Sequence, residues 1–149
     1  MDERLIPASE FFLGIFTTAL EPEEILVEVL VPPLPERTGT AFEEFARRHG
    51  DYALAGVAAV VTLAADGKVA ESKLVFFSIG DGPVVATSAS DALRGAAPTE
   101  EAIRAASEAI DADIDPQGDI HATAAYRRHL SKVLARRTLA RAVERAKRG

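Results

Sequence analysis

Apolar residues alternate along some stretches of this chain and recur every three or four positions along others. Ile25, Val27, Val29 and Val31 alternate with Leu26, Glu28 and Leu30, a period of two that suits a strand. Pro32-Pro33-Leu34-Pro35 ends it, because proline lacks the amide donor a ladder needs. Such a strand needs a sheet to join. Before it, Leu5-Ile6-Pro7-Ala8 reads as a short extended piece, Phe11 and Phe12 as a bulky anchor, and Gly14 as a break. Residues 1–35 therefore read as an arm. Residues 36–40 form a polar connection, and residues 41–149 form the main domain. Phe42 and Phe45 open it as a strand that continues into Arg47 and Arg48. Tyr52 to Gly56 reads as a compact turn or short helix, and Val57 to Leu63 as a buried, β-branched strand. Asp66-Gly67 is a hairpin signal, with Val69 to Ile79 as the returning strand. Gly80-Asp81-Gly82-Pro83 is a loop before a short extended piece at Val84 to Ala86.

The remainder reads as helical. Ser88 or Ser90 is placed to cap a short helix running through Leu93 and stopped at Gly95. Thr99 is placed to cap the next, with Glu100 and Glu101 in its first turn, where carboxylates are favoured. Ile103, Ala106 or Ser107, Ile110 and Ile114 supply its apolar stripe. Asp115-Pro116-Gln117-Gly118-Asp119 breaks it. A last helix runs from about Ala122 to Ala146, with Tyr126, Leu130, Val133 or Leu134, and Val143 on its buried side. The expected class is α+β: a small antiparallel sheet of about three strands packed against about three helices, with an N-terminal arm.

Charge changes this picture at one place. The chain has 149 residues and a formal net charge of −6, which argues against nucleic acid as a partner. Residues 127–149 nevertheless hold nine Lys/Arg and one Glu, while residues 1–126 carry a balance of −14. The basic last helix is expected to face acidic parts of its own fold or of a partner subunit. There is no cysteine, which excludes disulfides, a redox thiol, iron–sulfur ligation by this chain and a cysteine zinc site. The run from Phe11 to Phe16 is far too short to cross a bilayer. Membrane insertion is not expected, and a cytoplasmic location is the default.

Candidate chemistry is thin. His49, His121 and His129 are not spaced as metal ligands. His121 and His129 would lie about 12 Å apart on a helix. Asp111, Asp113, Asp115 and Asp119 lack the final glutamate of a calcium loop and suit turn-shaping and capping better. No nucleophile elbow, phosphate-cradling loop or dinucleotide fingerprint occurs. No catalytic residue is assigned. Arg48 offers a guanidinium near a sheet edge, where it can hold a phosphate or carboxylate. Asp51 can accept from Arg48 or cap the turn at Tyr52, whose ring can cover a planar ligand or a partner surface. Gly80 and Gly82 lie in a loop that either merely turns or closes on a ligand.

These parts in combination resemble a known family. Leu5-Ile6-Pro7-Ala8 with Phe11-Phe12, and Thr17 to Leu26, are similar to the closing stretch of the FAD-binding domain in flavoprotein subunits of molybdenum hydroxylases, above all the medium subunit of aerobic carbon monoxide dehydrogenases. Ala41 to Ala58 resembles the opening of that subunit's C-terminal domain. Pro116 to His121 and Ala125-Tyr126-Arg127-Arg128 continue the likeness. The chain departs from the family at Val85, where relatives often carry an arginine.

The resemblance implies a role in which flavin, not a side chain, carries electrons that come from a molybdenum site through iron–sulfur clusters. It implies FAD held between an N-terminal FAD domain and this type of domain, with Arg48, Asp51, Tyr52, Gly80 and Gly82 as cofactor-binding candidates. The glycine-rich segments that bind the FAD diphosphate belong to the family's N-terminal domain and are missing here. The chain is thus not expected to hold FAD tightly or to be catalytic alone. The implied partners are a molybdenum large subunit and an iron–sulfur small subunit, or a separate N-terminal FAD domain. The alternative is a free-standing interaction or scaffold domain without flavin, with a homodimer formed through Phe11, Phe12 and Phe16.

Overall fold

A computed structural model of the chain describes residues 3–149; the first two residues of the expected arm lie outside it. The chain divides into two compact units, Met1–Pro33 and Leu34–Gly149. The architecture is mixed α+β, with an antiparallel sheet packed against several helices.

In the first unit a one-turn helix α1 (Ala8–Phe11) leads into a small hairpin of β1 (Phe12–Gly14) and β2 (Thr17–Thr18). Phe16 at its tip takes the left-handed φ of 54°, unusual for an aromatic residue. Arg4 ties this unit internally, its Nη2 donating to the Ala19 carbonyl and its guanidinium pairing with Glu24. The strand expected over Ile25 to Val31 does not form. The stretch is without regular structure, and its large apolar residues are exposed. The alternating pattern is present, but no neighbouring strand among the described residues supplies the hydrogen bonds a ladder requires.

The second unit holds a sheet of four strands in sequential order, β3 (Thr38–Phe45), β4 (Ala55–Leu63), β5 (Val69–Phe77) and β6 (Val84–Val85). Register runs Phe45↔Ala55 between β3 and β4, and Gly56↔Phe77 between β4 and β5. The β4–β5 hairpin turns at Asp66-Gly67 as expected, Gly67 taking φ 82°. The alternation in β4 and β5 sends Val57, Ala59, Val61, Leu74 and Phe76 to one face, where each is essentially fully buried. Strand β4 ends at Leu63 as expected, whereas β3 and β5 end earlier than expected, at Phe45 and Phe77. Arg47 and Arg48 lie in a bend beyond Phe45 and do not alternate across a sheet.

That buried face is covered by α2 (Thr87–Leu93) and the long α4 (Ala124–Ala146), and α3 (Glu100–Ala109) packs against both helices. Thr99 caps α3 by accepting from Ala102 N, as expected. Ser88 and Ser90 do not cap α2. Both lie inside it, and Ser88 donates from N and Oγ to the distant Asp113 carboxylate at 3.0 Å each. Helix α4 starts two residues later than expected, with Thr123 accepting from Tyr126 N. It crosses β3 so closely that a Cβ on Gly39 would collide with backbone atoms of Ala142 and Ala146. Its basic residues are spent largely within the fold: Lys132 on Glu108 and Asp111, Arg128 on Asp111 and Asp115, Arg137 and Arg141 on Glu43.

Candidate functional site

Antiparallel order puts the end of β3, the start of β4, the end of β5 and the start of β6 at one end of the sheet. Two loops therefore emerge together: residues 46–54, with Arg48, Asp51 and Tyr52, and residues 78–83, with Gly80 and Gly82. The first is a closed turn. Asp51 N donates to the Arg48 carbonyl at 3.1 Å, Gly50 takes φ 89°, and Leu54 N returns to the Phe45 carbonyl at 2.7 Å. Asp51 faces Arg47 at 4.0 Å, not Arg48. Arg48 is exposed and makes no ion pair among the described residues. Tyr52 is 99% exposed, a ring with no packing partner of its own.

In the second loop the unusual conformation falls on Ser78, with φ 60°, and not on Gly80 or Gly82. A Cβ on Gly82 would meet nothing within 4 Å. Neither glycine is demanded by local sterics, so their reading as loop formers came from composition alone. Beside the two loops the sheet's other face is open. Phe42 and Phe77 stack there at 5.3 Å, and Phe77 lies across Gly56, where a Cβ would strike its ring.

Arg127 joins the two loops. It sits in the first turn of α4 at 8% exposure. One guanidinium nitrogen donates to the carbonyls of Leu54 and of Ser78, the latter at 3.0 Å. The other donates to Asp119 Oδ2 at 2.8 Å. Asp119 Oδ1 in turn accepts from His121 N and Ala122 N at 2.9 Å each. These backbone donors, with Arg127 behind them, pull the Asp119 carboxyl down to about 2 from its ordinary 3.8. The sequence reading put Tyr126 on the buried side of α4. The structure exposes Tyr126 and buries Arg127. The signal was available: Arg127, Leu130, Leu134, Thr138 and Leu139 recur at helical spacing on one stripe, and polarity concealed the first member.

No group of three or more His, Asp or Glu side chains among the described residues is arranged to hold a metal ion. No helix among them is long and apolar enough to cross a membrane.

Residues 40–142 match the family described as CO dehydrogenase flavoprotein C-terminal domain. The chain belongs to that family. The match covers the sheet from Thr40 onward, both loops and most of α4. Among curated relatives, the chain is 37% identical to the 6-hydroxypseudooxynicotine dehydrogenase complex subunit alpha of Paenarthrobacter nicotinovorans, over 97% of this chain and 49% of that one. Among solved structures, it superposes with TM-score 0.89 and 35% identity on a chain of carbon monoxide dehydrogenase from Hydrogenophaga pseudoflava, in a form lacking the Mo-pyranopterin moiety of the molybdenum cofactor, covering 95% of this chain and 49% of that one. A chain of quinoline 2-oxidoreductase from Pseudomonas putida 86 gives TM-score 0.85 at 30% identity, over 96% and 49% of the two chains. The chain thus spans about half the length of the relatives it matches. It is a C-terminal domain of the FAD-binding oxidoreductase subunit type, related to those of molybdenum hydroxylase complexes. The expected family and fold class both hold.

Proposed function

We propose that this CO dehydrogenase flavoprotein C-terminal domain encloses one side of FAD and docks it within a cytoplasmic molybdenum hydroxylase complex. The observation that carries the reading is the emergence of both candidate loops at one end of one sheet, in a chain of this family. Tyr52 would supply an aromatic face, while Arg48 and backbone amides near Gly80 and Gly82 would supply polar contacts. Asp51 would hold the turn that presents Tyr52, through its backbone bond to Arg48 and its pairing with Arg47. These groups suit a planar ring and its polar edge. They suit a diphosphate poorly, because no glycine-rich loop opens a helix among the described residues. The rest of the cofactor would be held by an N-terminal FAD domain, of which residues 1–35 would be the closing stretch. Bound flavin would supply the electron-transfer chemistry. The partners would be a molybdenum large subunit and an iron–sulfur small subunit.

The test is the 350–500 nm absorbance retained after adding excess FAD and removing unbound ligand, with and without a matched N-terminal FAD domain. Flavin retained only by the two-part sample supports the reading. No flavin in either sample, with both parts folded, sinks it.

A second reading rests on Phe12, Leu13, Ile15 and Phe16, all exposed in the first unit. They would favour a free-standing interaction domain that self-associates through its arm. Sedimentation of the chain alone separates the two. A dimer abolished by Phe16→Ser, with no flavin bound under any condition, favours this alternative.

A further inference from the structure

Leu54 directly precedes β4 and Ser78 directly follows β5, so the β4–β5 ladder brings the loop ends together at Gly56↔Phe77; beyond that ladder, no backbone hydrogen bond joins residues 46–54 to residues 78–83 among the described residues. Beyond the ladder they share one buried side chain. The Arg127 fork reaches both carbonyls and the Asp119 carboxylate, so three segments distant in sequence converge on one guanidinium. The orientation of that fork is not free. Asp119 is fixed by two backbone amides through its other oxygen, and Arg127 rises from a helix whose first turn is capped by Thr123. Ser78 holds a left-handed φ that a non-glycine residue adopts only at a cost, and its carbonyl is one of the two acceptors. An arginine can serve this arrangement because its donors are planar and divergent. A lysine carries the same charge but is a point donor on a flexible stem.

We propose that Arg127, oriented by Asp119, is a positioning residue that holds the Arg48–Tyr52 loop and the Ser78–Pro83 loop in register as one ligand-facing unit. This rests on the flavin reading for the identity of the ligand, a planar aromatic cofactor, and on the hydrogen-bond geometry for the coupling. Arg127 does not touch the ligand. Its effect passes through the two loops.

Two variants test it in the chain itself. Arg127→Lys keeps the charge without the fork, and Asp119→Asn keeps the turn acceptor without the ionic partner. Amide hydrogen exchange should rise about tenfold or more in residues 46–54 and 78–83 together, while central amides of β4 and β5 remain protected. If Arg127→Lys does not fold, Asp119→Asn decides by the same measure. A rise confined to one loop, no rise in either, or a uniform rise across the sheet overturns the proposal, as does full protection in Arg127→Lys. With a matched N-terminal FAD domain added, both variants should retain FAD about tenfold more weakly than wild type, since preorganisation is lost. Coupled loosening with unchanged FAD retention overturns the positioning role and leaves the flavin reading intact. A wild-type two-part sample that retains no FAD overturns the flavin reading, and the role with it, whatever the exchange data show.

Discussion

Ile25, Val27, Val29 and Val31 alternate along a stretch where they are 69–81% exposed, whereas Val57, Ala59 and Val61 alternate along β4 at no more than 1% exposure. Locally the two sequences specify the same thing, an extended backbone with β-branched side chains. The difference lies in company. Strand β4 has β3 on one side and β5 on the other, so its amides and carbonyls are paired and its apolar face is roofed by α4. The earlier stretch has no ladder partner among the described residues. β-Propensity therefore behaves here as a fit to a pleated, half-buried surface and not as an instruction carried by the segment itself.

The largest effect that sharpens this contrast is a core truncation. Phe76→Ala, in the strand beside β4, should cost about 3–5 kcal/mol, read from the urea midpoint. Val29→Ala, by contrast, should stay within about 0.5 kcal/mol. Equal losses from the two would abolish the distinction. Next comes the helix roof. Gly39→Ala puts a methyl group into the backbone of α4 and should cost about 1–3 kcal/mol; an unchanged midpoint would show that α4 can lift off β3 freely. Smaller still is the cap that starts that roof. Thr123→Ala should lose about 1 kcal/mol, checked by the same titration and by faster exchange of the Tyr126 amide.

The subtlest effect is a pH dependence. Asp119 has its pKa depressed in the folded state from 3.8 to about 2. Its stabilising contribution is therefore complete above the unfolded value and is lost as pH falls from 3.8 through about 2. The gap in stability between wild type and Asp119→Asn should narrow over that window. A gap that stays constant down to pH 2 would mean that the ionised carboxylate contributes nothing.

The sheet was legible because its signals are local. Asp66-Gly67 names its own turn, Thr99 its own cap, and the alternation in β4 and β5 its own buried face. The candidate site was legible only as a set of loops. Arg48, Asp51, Tyr52, Gly80 and Gly82 were singled out from two separate stretches, and nothing in either stretch says that they share one end of a sheet. That follows from strand order. The residue joining the loops was harder still, since Arg127 is recognisable only through acceptors 73, 49 and 8 positions away. Hydrophobic periodicity is blind to a buried cation, and so the stripe on α4 was read one residue out, onto Tyr126. The caps of α2 failed for the same reason: the acceptor for Ser88 is Asp113, 25 residues on.

Arg145, near the end of α4, donates to the carbonyl of Thr40 in β3. Strand β3 is one of the sheet's two edge strands and is eight residues long, and an open row of backbone groups is a template on which a stray chain can grow. A guanidinium parked on one of those carbonyls places a solvated cation across the template and interrupts its repeat. Arg145→Ala, which clears that carbonyl, is expected to raise turbidity on storage while leaving the thermal midpoint nearly unchanged.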